Sequence, residues 1–173
     1  MPVRTIFQLQ LILGYVAWLL CFGAYLFPKL RAMERPDAHR AIATLHSFRF
    51  FGLVFILPGV IGAQVPAAFG TVAAWGDFAT GILALLALLT FRIRALFWLF
   101  TVAFNLAGIT DLVVDYANAI RLNLPAVAGQ LGATYFIPIL YVPLLMITHV
   151  VALYWLLRPQ PVPQAMAGNA VAS

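Results

Sequence analysis

Five stretches of about 20 apolar residues follow one another along this chain, with only short polar breaks between them. An α-helix rises about 1.5 Å per residue and needs about 20 residues to cross the ~30 Å hydrocarbon core of a bilayer, so each stretch is sized for one crossing. The reading is an all-α, polytopic integral membrane protein, a five-transmembrane-helix bundle with spans at 6–27, 41–61, 73–91, 95–116 and 131–157. Only 9% of the residues are charged and the mean hydropathy is +1.00, whereas soluble domains carry about 25% charged residues. Residues 1–158 are expected to form a single transmembrane domain. The Pro-, Gln- and Ala-rich stretch 159–173 has little to bury and is expected to be a disordered cytoplasmic tail.

The first stretch is read as a retained span and not a cleaved leader, because its apolar run is long and no small-x-small site precedes Phe27, Pro28 and Lys29. Pro138 and Pro143 are expected to kink the last span. Lys29, Arg31, Arg35 and Arg40 separate the first two spans, Arg92 and Arg94 separate the third and fourth, and Arg158 follows the fifth. The positive-inside rule puts these breaks in the cytoplasm and the N-terminus outside, so the net charge of +5 reads as an orientation signal in a cytoplasmic membrane, not a nucleic-acid footprint. The single cysteine, Cys21, excludes an intrachain disulfide and a CxxC pair.

Against this apolar background the acids stand out. There are five in the chain, and Asp77, Asp111 and Asp115 lie within or at the edge of the spans. An ionised Asp at the centre of a membrane helix costs roughly 3 kcal/mol even on insertion scales, so it is kept only where something compensates it. Counting ~1.5 Å per residue from the flanking arginines puts Asp77 and Asp111 level, roughly 22–25 Å from the cytoplasmic side. Asp115 is one turn further out, at the interface, solvated or paired with Arg121. Tyr141 falls near the level of the two acids. Arg49 and His149 lie at roughly 13 Å, with His46 a turn shallower and Asn105 between the two layers.

At about 100° per residue, Thr101, Phe104, Asn105, Gly108, Asp111, Leu112 and Asp115 share one face of the fourth span; His46, Arg49, Phe50 and Leu53 share one face of the second. The expected polar centre is Arg49 reaching outward to Asp111 or Asp77, with His46, His149 and Asn105 lining a cytoplasmic-side approach. An always-charged Arg at that depth needs an anion, and these acids are the ones near its reach.

The leading functional reading is a small membrane protein of binding or transport type, with Arg49, Asp77, Asp111, Asn105, His46, His149 and Tyr141 as candidate ligand- or ion-binding residues. The competing reading is a non-catalytic accessory or assembly subunit in which the same residues clasp helices. A third is a redox protein holding haem between His46 and His149, or a quinone near Phe48, Phe50 and Phe51. No cofactor and no metal site is expected otherwise. Nor is an enzyme expected: Gly76-Asp77 lacks a GxGD context, Ser47 lacks GxSxG, and the lone lysine, Lys29, is in a loop and offers no intramembrane Schiff base. The expected partners are the lipid bilayer, further copies of the chain or a membrane complex, and a small molecule or ion; no nucleic acid is expected.

Overall fold

The computed structural model describes residues 1–158, and among them every regular element is helical. The expected disordered tail lies outside the described residues. Four helices are long and apolar enough to cross a membrane: α1 (Val3–Ala32), α3 (Ala67–Leu89), α4 (Arg94–Arg121) and α5 (Ile137–Leu156). The remaining apolar stretch, expected as a second uniform span over 41–61, folds as α2 (Arg35–Ser47) running directly into a 3₁₀ segment, Phe48–Ile56.

The change of helix type after Ser47 has a local cause and a clear signature. The run Phe48-Arg49-Phe50-Phe51-Gly52 combines bulky aromatic side chains, which lose rotamer freedom in an α-helix, with a glycine that stabilises it poorly. The buried residues of the segment are Arg49, Gly52 and Phe55, spaced by three as a threefold helix requires. Of the expected inward face His46, Arg49, Phe50 and Leu53, which rested on α-helical spacing, His46 and Arg49 are fully buried, whereas Phe50 is exposed and Leu53 half-buried. Phe48, Phe50 and Phe51 lie on the outside of the bundle, against one another, with the Phe50 and Phe51 rings 4.8 Å apart.

Two other helices depart from α-geometry just before a proline. In α1 the turn Phe22–Leu26 widens to a π-turn, with the Phe27 N–H bonded to the Phe22 carbonyl, ahead of Pro28. In α5 the turn Ile137–Tyr141 does the same ahead of Pro143, with the Val142 N–H bonded to Ile137. Proline has no N–H to continue the ladder, and a widened turn absorbs the mismatch. The turn in α5 is where α1 is fastened to it: the Trp18 indole donates to the Leu140 carbonyl at 2.7 Å, and Gly14 faces the Ile139 carbonyl with no room for a Cβ.

The fifth stretch begins later than expected, at Ile137, because Gly132 takes a left-handed φ of 56° that breaks the short 3₁₀ run Ala128–Tyr135. A Cβ at Gly132 would press on the Val60 carbonyl. The third begins earlier, at Ala67 directly after Pro66, and the fourth runs on to Arg121. The two connections at this end of the bundle are tied together, since the Gly62 N–H bonds the Gln130 carbonyl at 2.7 Å.

Helix α3 is central. Its buried face, Ala73, Ala74, Asp77, Thr80, Gly81, Ala84 and Ala87, is almost entirely small, so α4 and the 3₁₀ segment approach closely. At the basic end, His39 is buried with its ring 5.2 Å from Trp98 and 6.3 Å from Trp155, while Arg35 lies over Trp155 and Arg40 over Phe91. His39 lies ahead of the second apolar stretch; burial and the nearby Arg35 charge lower its pKa to about 4.

Candidate functional site

The side chain of Arg49 is fully buried at the middle of the bundle. Its guanidinium carries five N–H groups and no acceptor, so a stable placement needs several acceptors in one plane. Three elements supply them. Nε donates to Asp77 Oδ1 on α3 at 2.6 Å, and one Nη donates to Asp111 Oδ2 on α4. The other Nη faces the Gly108 carbonyl at 3.4 Å and His149 Nε2 on α5 at 3.2 Å. Four of the five N–H groups are thereby engaged, two of them in charge-assisted bonds.

The partners of the histidines fix where their protons sit. Asn105 donates its amide to the Thr101 carbonyl at 2.8 Å and presents its oxygen to His149 Nδ1 at 3.0 Å. His149 therefore carries its proton on Nδ1, which leaves Nε2 as the acceptor facing Arg49. His46 is the opposite case. Thr148 donates its hydroxyl to the backbone, with Leu144 and Leu145 carbonyls at 2.9 and 3.0 Å, and so accepts from His46 Nε2 at 2.9 Å. His46 Nδ1 is buried and has no hydrogen-bond partner.

The two histidine rings lie against each other with centroids 3.9 Å apart, and Phe104 covers His46 at 5.5 Å. Haem ligation by this pair would require the rings to part and His149 to give up one of its present partners. Tyr141, expected beside the acids, instead donates to the Leu45 carbonyl at 2.9 Å. Asp115 does not pair with Arg121, whose guanidinium donates to Asn118 Oδ1 at 3.1 Å.

What makes room for this cluster is glycine, a contribution the polar residues alone do not signal. A Cβ on Gly52 would collide with the Asp77 carboxyl, one on Gly76 with that of Asp111, and one on Gly108 with the His149 ring and Arg49. Arg49, Asp77, Asp111 and His149 thus each lie against bare backbone contributed by a neighbouring element. The signal in the sequence is a glycine near the depth of Asp77, Asp111 and His149.

By formal charge the centre is not balanced. Asp77, Asp111 and Asp115 provide three carboxyl groups within about two turns, and Arg49 is the one cation that reaches them among the described residues. Asp115 is half-buried, and its Oδ1 is enclosed without a hydrogen-bond partner. Both Asp77 and Asp115 also line a cavity of about 260 Å³ beyond the polar centre, whose other walls are mostly apolar. The arrangement can hold a proton or a cation between carboxyl groups, and can present a carboxyl group to a molecule in the cavity.

Comparison with curated proteins and with solved structures gives no match. A match does come from protein families: residues 6–157 fit the family described as Domain of unknown function (DUF8737), and the chain belongs to that family.

Proposed function

We propose that this chain is a multi-pass protein of a cytoplasmic membrane that binds, and passes along its bundle, a proton or small cation at the Arg49, Asp77 and Asp111 centre. The carrying observation is one fully buried arginine shared by two carboxyl groups while a third, Asp115, has no cationic partner. An uncompensated carboxylate in apolar surroundings is costly, so the excess invites a proton or a cationic ligand. His46, Asn105 and His149 continue the polar path from that centre toward the basic end.

In this reading the protein crosses five times, with its N-terminus outside and its C-terminus in the cytoplasm. From Ala41 onward, the last 7 residues of α2 and the 9 of the 3₁₀ segment extend about 28 Å at ~1.5 and ~2.0 Å per residue, close to the ~30 Å hydrocarbon core despite the broken helix. Arg35, Arg40, Arg92, Arg94 and Arg158 supply the cytoplasmic positive charge.

The test is proton flux across vesicles reconstituted with the full chain. Asp77→Asn and Asp111→Asn should each reduce flux more than tenfold while thermal unfolding in detergent stays cooperative. A second reading, an accessory subunit in which the cluster only fastens helices, is favoured by the near-complete satisfaction of Arg49. It holds if the wild type carries no flux and the substitutions alter only stability; native mass spectrometry from a mild detergent then identifies whether the chain assembles with itself or with other subunits.

A further inference from the structure

The cavity beyond the polar centre lies where α1, α3, α4 and the start of α5 come together, with Leu124 and Leu131 among its walls. Its walls include the aromatic rings of Phe7, Phe55 and Phe69, and no lysine or arginine lines it. Tyr116, at its edge, is already bonded to the Tyr15 hydroxyl at 2.7 Å. Asp77 is held by Arg49. That leaves Asp115, a carboxyl group on the cavity wall with no salt-bridge partner among the described residues; its Oδ1 is enclosed in the protein without a hydrogen bond. An acceptor left without a donor inside apolar walls costs about 1–3 kcal/mol, and more when charged, so a donor supplied from the cavity would be strongly favoured.

We propose that this cavity binds a small organic cation, a primary or secondary ammonium on an apolar, preferably aromatic, body, with the ammonium on Asp115 and the body among Phe7, Phe55 and Phe69. The assignment rests on the reading of the polar centre as a cation site and names the class of cation that reaches it. Three features carry it. Among the polar groups on the wall Gln8 is neutral, Tyr116 and Asp77 are engaged, and Asp115 is a carboxyl group with no cation beside it, which selects a cationic donor over a neutral one. Aromatic faces add a second attraction for a cation's flank. The volume, about 260 Å³, equals roughly nine liquid waters at ~30 Å³ each, which suits a ligand of about ten non-hydrogen atoms.

The probe is radiolabelled 2-phenylethylamine, measured on the full chain in phosphatidylcholine nanodiscs against empty nanodiscs. The expected result is saturable binding at one molecule per chain, with 2-phenylethanol competing at least tenfold less well. Asp115→Asn should weaken the amine at least tenfold without changing the alcohol. Ala119→Phe, which fills the cavity from its wall, should abolish binding of both, its folding being checked by cooperative thermal unfolding. Absence of saturable binding, equal competition by the alcohol, or undiminished binding in Asp115→Asn would overturn the assignment. Because binding is read without any flux, the two failures are separable. Proton flux without amine binding removes the cavity site and leaves the polar centre; saturable amine binding without flux removes translocation and leaves the site.

Discussion

Arg49 Nε and Asp77 Oδ1 meet at 2.6 Å across the contact between the 3₁₀ segment and α3, and the backbone of Gly52, one 3₁₀ turn after Arg49, closes against the same carboxyl group. The acid is therefore held from one side by charge and from the other by the absence of a side chain.

That arrangement makes the arginine the most costly single residue to remove. Arg49→Leu leaves Asp77 and Asp111 without their cation in apolar surroundings, and breaking a buried pair from one side costs about 3–5 kcal/mol. The expected outcome is a large drop in unfolding temperature in detergent. The triple variant Arg49→Leu, Asp77→Asn, Asp111→Asn should recover most of it; equal instability of single and triple variants would show that the loss is one of packing and not of charge.

The glycines around the cluster should separate sharply from a glycine elsewhere. Gly52→Ala, Gly76→Ala and Gly108→Ala each place a methyl where a polar side chain already lies, and overpacking of this kind costs about 1–3 kcal/mol. Gly23→Ala meets no atom within 4 Å and should be neutral or stabilising by up to about 1 kcal/mol. Thermal unfolding of the four variants decides the matter.

The histidines should show opposite tautomers. Nitrogen NMR on ring-labelled protein is expected to place the proton on Nδ1 in His149 and on Nε2 in His46, following their partners Asn105 and Thr148. Asn105→Leu should disturb the His149 signals and spare those of His46. Identical tautomers in the two rings would contradict the network.

At the basic end, His39 contributes a pH dependence. Its folded pKa of about 4 lies below the ordinary value of 6.5, so the unfolded chain takes up the proton first on acidification. The stabilisation it provides is complete above about pH 6.5 and is lost progressively as the pH falls toward 4. His39→Phe, which keeps an aromatic ring beside Trp98 and Trp155, should flatten that part of the profile of unfolding temperature against pH.

The depth of the polar residues was legible because the rise of an α-helix is uniform. Counting from Arg92 and Arg94 suffices to put Asp77 and Asp111 side by side, and both sit on α-helices. Azimuth was legible only where the helix type is α. On α4 the polar stripe from Thr101 to Leu112 is the buried face, whereas on the second stretch a turn of 100° per residue was the wrong ruler and assigned Phe50 inward. Tyr141 illustrates the same limit, since it ends a π-turn and bonds the Leu45 carbonyl. The cavity at Asp115 was beyond reach altogether, because it is enclosed by residues from α1, α4 and the 124–137 connection whose packing no single periodicity encodes.

The threefold winding after Ser47 has a geometric result of its own. Residues three apart in such a segment eclipse one another, so Arg49, Gly52 and Phe55 stand in a straight column parallel to the segment's axis. The column begins at the guanidinium, passes the bare backbone that admits Asp77, and ends in the wall of the cavity. Polar centre and cavity are thus the two ends of one rigid file of side chains, and a one-residue insertion between Arg49 and Phe55 would put them on different sides of the protein.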